Sequence, residues 1–320
     1  MSAVARILIT TDYLRPGDEV DELLRSRGHE TRFRSGDLAA DLAGVEGALV
    51  GHDPLTAEVL ASAGSLRAVV RTGVGYDAID VEAAARAGIT VSNLPGINAN
   101  AVAEYTMGLV LASARRLVES ATGVASGGWP REDGRELRGS TLGLIGYGAA
   151  ARAVVPLARA FGMRVLCTTA VAADERTDPE VRFVELPELL AGADFVSVHT
   201  ALTARTRGML DAAAFARMKP SAVLVNTARG AIVDEDALAE AVLDGRIAGA
   251  ALDVVAEEPL PAASPLRDVP GIVVHSHLAG QTAQARRAAG VEGARELLDA
   301  LAGRPKHAVN AHLIEERNNR

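Results

Sequence analysis

The chain has 320 residues, of which 48% are hydrophobic and only 3% aromatic, and its formal net charge is −8. That length suggests two domains with cores filled by Ala, Val, Leu and Ile. An acidic balance without a Lys/Arg block argues against nucleic-acid binding, no apolar run is long enough for a membrane span, and the N-terminus does not read as a signal peptide.

The segment "ARILIT" (5–10) reads as a strand, and "GDEVDELLRSRGH" (17–29) has apolar residues at helical spacing with a glycine near its end. "GALV" (47–50), "LRAVVR" (66–71) and "ITVSN" (89–93) are further strands, with "TAEVLASA" and "DVEAAARAG" as helices between them. This alternation predicts an α/β fold with a parallel sheet covered by helices on both faces. A long helical pattern follows over 98–127, with Asn98 as a possible cap, and "GGWP" (127–130) breaks it. Its length suggests packing against another domain or subunit. Strand and helix signals then alternate again through "TLGLIG", "MRVLCTT", "FVSVHT", "AVLVNT", "GAALDVV" and "GIVVHS", and a helical segment covers 282–303. The lone cysteine, Cys167, cannot form an intramolecular disulfide and reads as a small, partly buried residue. Together these features favour a soluble cytoplasmic protein.

"TLGLIGYGAAARAV" (141–154) has the form of a dinucleotide-binding turn. Gly146 allows a tight turn, and Gly148 lets the backbone approach a pyrophosphate. The following helix offers free N–H groups to the anion. Ala151 holds the third glycine position, where a small residue suffices. An acid about 20 residues further on would bind the ribose of NAD. Here the next strand ends in Thr168-Thr169-Ala170, and the first acid is Asp174. The threonine hydroxyls suit either ribose form. Arg176 reads as a solvated loop charge that could alternatively meet a 2′-phosphate. The cofactor is therefore NAD or NADP, with the choice open.

Three charged blocks fall at strand ends. "LVNTARGAIVDE" carries Arg229, "GAALDVVAEEPL" carries Asp253, Glu257 and Glu258, and "GIVVHSHLAGQT" carries His275 and His277. Loops beyond the carboxyl ends of parallel strands form the ligand crevice. An Arg grips a carboxylate with two parallel bonds. An imidazolium delivers a proton to a carbonyl oxygen, and a carboxylate on its other nitrogen orients it. An Arg, a Glu and a His therefore suit the reduction of a 2-oxo acid.

These residues resemble the D-isomer-specific 2-hydroxyacid dehydrogenases, nearly end to end. Matching blocks include "RTGVGYDAIDVEAAARAGITVSNLPGINANAVAEYTMGLVL", "LIGYG", "DFVSVHTALTARTRGML", "MKPSAVLVNTARGAIVDEDAL", "GAALDVVAEEPL" and "HSHLAGQT". The resemblance implies two Rossmann-like domains with parallel sheets and an active site in the cleft between them. The substrate domain would take 1–97 plus 282–320, and the dinucleotide-binding domain 98–281. It implies Arg229 as the substrate grip, Glu258 over Glu257 as the partner of the catalytic His, and His277 over His275 as the proton carrier. Val74 and Gly75 would offer backbone N–H groups to the substrate; Arg71, just before them, reads either as a contact for a second anionic group or as a structural ion pair. Cofactor contacts are implied for Gly146, Tyr147, Gly148, Ala149, Ala150 and Thr169. Thr200, Ala201, Thr206, Thr227, Asp253, His277 and Gly280 complete that set, and no metal is expected.

Several positions depart from the family pattern. Ala149 lacks a common Arg, Ala151 replaces a glycine, Thr169 an acid, Ala201 a proline and Ser276 another proline. All but the last lie around the cofactor. The expected activity is hydride transfer between NAD(P) and C2 of a small D-2-hydroxy or 2-oxo acid, with a phosphate- or phosphonate-bearing substrate also considered. The expected assembly is a homodimer with a small anionic substrate and with no nucleic-acid or membrane partner. The alternative is a nicotinamide-sensing, corepressor-like interaction protein.

Overall fold

The computed structural model describes residues 4–318. In chain order the first elements are β1 (Arg6–Ile9), α1 (Glu19–Ser26), β2 (Glu30–Phe33), α2 (Leu38–Asp41), β3 (Gly47–Val50), α3 (Ala57–Ser62), β4 (Ala68–Arg71), α4 (Val81–Ala87) and β5 (Thr90–Ser92). Next come α5 (Ala99–Arg115), α6 (Leu117–Ala125), β6 (Thr141–Ile145), α7 (Ala149–Ala160), β7 (Arg164–Thr168), β8 (Val181–Phe183), α8 (Leu186–Gly192) and β9 (Phe195–Val198). The remainder is α9 (Ala212–Phe215), β10 (Val223–Asn226), α10 (Glu235–Leu243), β11 (Gly249–Leu252), β12 (Ile272–Val274), α11 (Ala283–Leu301) and α12 (Ala311–Asn318). Contacts divide the chain into two compact units. One runs to Asn98 and resumes at Thr282, and the other is Ala99–Gln281.

Each unit is a parallel sheet. In the first unit the strand order is β2-β1-β3-β4-β5, and in the second β12-β11-β10-β9-β6-β7-β8. Among the described residues every pairing between these strands is parallel. Strands buried on both faces need continuous apolar runs rather than alternation. β3, β6, β9, β10 and β11 are buried at every position. Alternate residues then serve opposite faces. Leu224 of β10 joins the cluster built with Phe215 and Leu238, while Val223 and Val225 join the one built with Val110 and Val154. β2 lies at a sheet edge and is only half-buried, so its polar sequence "ETRF" gives no apolar signal.

Local sequence sets the helix ends. Asp18, Thr56, Asp80, Asp211, Asp234 and Thr282 stand at N-caps, where their side chains accept backbone N–H groups of the first turn. The single helix expected over 98–127 is instead two, α5 and α6, divided at Arg116 in the left-handed region (φ 53°). The chain returning after α6 causes the break. Arg135 N–H donates to the Ala114 carbonyl (2.8 Å) and takes over an acceptor at the end of α5. Among the described residues no helix is long and apolar enough to cross a membrane.

Candidate active site

In the second sheet the chain runs outward in both directions from the β9–β6 pair. Such a reversal opens a crevice beyond the carboxyl ends of the strands. The glycine loop follows β6 directly. Gly146 adopts φ +102°, and a Cβ there would lie 2.4 Å from the His199 carbonyl oxygen and 2.9 Å from Thr200 N, so only glycine fits. Gly148 is the N-cap of α7 and has no side chain to cap the helix, while a Cβ at Gly148 would meet open space. The first N–H groups of α7 at Ala149 and Ala150 are therefore left for an anion approaching from that space. Ala151 is fully buried among Val154, Ala103 and Leu144, so its methyl is absorbed by the core. The loop thus fits a dinucleotide pyrophosphate despite the missing third glycine.

Tyr147 points away from this space. It is buried edge-on against Phe183 (5.1 Å between centroids), and its hydroxyl donates to Asp178 (2.5 Å). Burial and then Asp178 push that phenol far up, so it stays protonated. After β7, the Thr169 hydroxyl accepts from Val171 N–H (3.1 Å). Arg176 is not the freely solvated loop charge read from sequence. It is partly buried and donates to the carbonyls of Val171 (2.8 Å) and Thr169 (3.2 Å). The Thr206 hydroxyl donates to the Ala201 carbonyl (2.7 Å) and accepts from Thr203 N–H (2.8 Å), which closes the turn after Thr200. At the base of that turn, burial drives the His199 imidazole down to about 4, so it is neutral opposite the Ser197 hydroxyl (2.9 Å).

The charged blocks meet around β10, β11 and β12. His277 Nδ1 lies 2.8 Å from Glu258 Oε2, both side chains being about one-third exposed (31% and 39%). His277 itself has φ +57°, an uncommon backbone state for a residue with a side chain. Several bonds hold it there. Its N–H donates to the Asp253 carbonyl (2.8 Å), and Gln281 Nε2 donates to its own carbonyl (2.8 Å). The next two N–H groups, of Leu278 and Ala279, each donate to the Asp253 carboxylate at 2.8 Å. Asp253 is 1% exposed. Burial and Asp253 together push the Tyr105 phenol up to about 12, which keeps it a donor. Asp253, expected to contact the cofactor, therefore has its carboxylate engaged in shaping the turn that carries His277 and Gly280.

Arg229 follows β10 in extended conformation, with Nη1 donating to the Ala228 carbonyl (2.6 Å). Two residues not singled out from sequence support it. Asn226 is completely buried; its Nδ2 donates to the Arg229 carbonyl (2.9 Å) and its Oδ1 accepts from Ala228 N–H (3.0 Å). A polar residue closing the apolar run "AVLV" was the available signal. Gly230 lies against the loop leading to Glu258, where a Cβ would come within 1.9 Å of the Val255 carbonyl carbon. The Thr227 hydroxyl faces that of Thr106 (3.2 Å). His275, the other histidine of its block, packs edge-on to Tyr105 (5.8 Å between centroids).

In the first unit, the Gly73–Val74–Gly75 loop follows β4. Asn93 Nδ2 donates to the Val74 carbonyl (2.6 Å), and Leu94 N–H to that of Gly73 (2.9 Å). The Arg71 guanidinium folds directly over Gly73, where a Cβ would overlap its Nη1 (1.7 Å). Arg71 Nη2 also lies 3.2 Å from His52 Nε2.

Residues 107–279, just over half of the chain, match the NAD binding domain of the D-isomer specific 2-hydroxyacid dehydrogenases. The chain is 37% identical to a glyoxylate reductase of Thermofilum pendens over 277 residues, covering 83% of this chain and 81% of the relative. The chain belongs to the D-isomer specific 2-hydroxyacid dehydrogenase family. This dehydrogenase is also 36% identical to D-3-phosphoglycerate dehydrogenase of Archaeoglobus fulgidus over 93% of its length, although it spans only 58% of that longer protein. Its fold is that of the TT0316 protein from Thermus thermophilus, with TM-score 0.85 and 38% identity over 95% of this chain and 99% of the other. The chain is accordingly an NAD- or NADP-dependent oxidoreductase of 2-hydroxy acids.

Proposed function

We propose that this dehydrogenase interconverts a small 2-oxo acid and its D-2-hydroxy acid, with Arg229, His277 and Glu258 as the working side chains. The observation that carries the assignment is the 2.8 Å bond between His277 Nδ1 and Glu258. It fixes the ring orientation, and Nε2 is the nitrogen to which we assign proton exchange. When bound, the nicotinamide supplies a hydride to C2 or receives one. Arg229 pairs with the substrate carboxylate and polarises the carbonyl oxygen. Protonated His277 gives its proton to that oxygen in reduction and takes it back in oxidation. Glu258 balances the imidazolium charge, and Asp253 acts through the His277 turn. The glycine loop, with Ala149 and Ala150, holds the pyrophosphate. Val74 and Gly75 offer backbone N–H groups to the substrate.

The position of Arg71 over the Gly73–Val74–Gly75 loop favours a substrate with a second anionic group. Initial rates with NADH and NADPH across a panel of 2-oxo acids, including phosphorylated and phosphonate members, test the whole assignment. Turnover is expected on small 2-oxo acids, with higher kcat/KM for doubly anionic members. Saturable cofactor binding with no turnover on any member would overturn the enzyme reading. It would also revive the sensing alternative, which the dehydrogenase and reductase relatives do not favour.

The proposed setting is the cytoplasm, with no nucleic-acid or membrane partner, as the net charge of −8 suggests. A homodimer is part of the same proposal, supported by exposed apolar side chains at Leu117 (54%), Val124 (48%) and Trp129 (78%). Sedimentation at the mass of one chain would remove it.

A further inference from the structure

Dinucleotide-binding folds separate NAD from NADP at the end of the strand after the glycine loop. A carboxylate there bonds the ribose hydroxyls of NAD and repels a 2′-phosphate. In this chain that strand is β7, and the residue just past its end is Thr169. Among the described residues the nearby carboxylates are engaged elsewhere or exposed. Asp178 accepts from the Tyr147 hydroxyl (2.5 Å) and from Glu180 N–H (2.9 Å). Glu180 pairs with Arg159, and Asp174 and Glu175 are exposed in the short 3-10 turn of the loop.

A cation lies beside that position. Arg176 reaches back across the loop and donates to the carbonyls of Thr169 (3.2 Å) and Val171 (2.8 Å), which places its guanidinium against the residue that reads the ribose. Arginine carries five N–H donors, so two bonds to the loop leave the fork able to serve an anion. Those same two bonds hold the guanidinium still, which lowers the entropy lost on binding. The Thr169 hydroxyl accepts from Val171 and retains its own proton for donation. A second cation, Arg152 on α7, lies with its guanidinium 4.5 Å over the Tyr147 ring. Both arginines act to lower the Cys167 thiol, which burial nevertheless pushes up to about 12, so both charges are felt at the carboxyl end of β7.

We propose that this dehydrogenase selects NADP(H) over NAD(H), with Arg176 pairing the adenosine 2′-phosphate and Thr169 donating its hydroxyl proton to it. The proposal rests on the oxidoreductase reading and concerns only the adenosine end of the same cofactor site. Isothermal titration of the whole protein with adenosine 2′,5′-bisphosphate and with 5′-AMP isolates that end from catalysis. The bisphosphate is expected to bind at least about tenfold more tightly. Arg176→Gln is expected to weaken the bisphosphate by about 10–100-fold, as loss of a charge-assisted bond does, while 5′-AMP changes by less than about twofold. Thr169→Asp, which keeps Arg176 in place, is expected to reverse the preference. Equal binding of the two ligands by the wild type would overturn the proposal and leave the oxidoreductase reading standing. Equal losses for both ligands in Arg176→Gln would also overturn it, because Arg176 would then only support the loop. Binding of neither ligand would overturn both readings.

Discussion

His277→Ala is expected to lower kcat by about 10²–10⁴-fold, the range for removing a general acid–base group, while 5′-AMP affinity stays within about twofold. The two effects separate because the glycine loop, α7 and Thr169 are the proposed adenosine and pyrophosphate end, whereas His277 sits beyond β12. The large loss follows from how firmly the ring is held. Glu258 fixes Nδ1, while Asp253 and Gln281 fix the backbone on either side. Water reaching the gap left by alanine has none of this orientation. Steady-state rates with a fixed 2-oxo acid check the first part, and titration with 5′-AMP checks the second. Wild-type-like turnover would sink the proton-carrier assignment, and loss of 5′-AMP binding would show that the change had damaged the cofactor fold.

Gly230→Ala is expected to abolish activity and to destabilise the protein by about 3 kcal/mol, the upper end for forcing extra volume into a packed site. The added methyl would fall 1.9 Å from the Val255 carbonyl carbon and 2.3 Å from Ala256 N, both backbone atoms that cannot rotate aside. The Arg229 loop and the loop leading to Glu258 would have to part. The Ala256 N–H bond to Glu235 (2.6 Å) and the Asn226 bond to the Arg229 carbonyl would be strained together. One methyl would thus displace Arg229, the proposed substrate grip, and Glu258, the proposed partner of the proton carrier, at once. Urea unfolding alongside kcat/KM measures both consequences. A variant with wild-type stability and activity would contradict the close approach of the two loops.

The fold class and the charged blocks were legible because each is written locally. Continuous apolar runs such as "AVLV" mark strands buried on both faces, and Arg229, Glu258 and His277 fall beyond such runs. The readings that differed depend on contacts distant in sequence. The end of α5 depends on Arg135 taking the Ala114 carbonyl, and β2 is held as an edge strand by β1 rather than by its own pattern. Arg176 looked like a solvated charge because its acceptors are backbone carbonyls, which have no signature in side-chain sequence. The Asp253 carboxylate likewise accepts backbone N–H groups, those of Leu278 and Ala279, a role with no side-chain signature beside the cofactor contact that the resemblance implied. Asn226 and Gly230 carry no comparable signature because they act through the backbone beside Arg229 rather than through chemistry of their own.

The discontinuity of the first unit bears on how the chain acquires its structure. One face of its sheet, with Ile7, Ile9, Leu49 and Val70, is covered by α1 and by α11, whose Ala289, Ala294, Leu297 and Leu301 join the same cluster. The approach is close. A Cβ on Gly47 of β3 would sit 3.1 Å from Leu301, and one on Gly293 of α11 would sit 3.4 Å from Thr72. Yet α11 begins at Ala283, after the whole of the other unit. On a ribosome, domains generally mature from the N-terminus onward. Here the strands made first have this apolar face only partly covered, by α1, until α11 emerges, while Ala99–Gln281 contains every strand and helix of its own sheet in one stretch. The later-synthesised unit is therefore the first whose elements are all present.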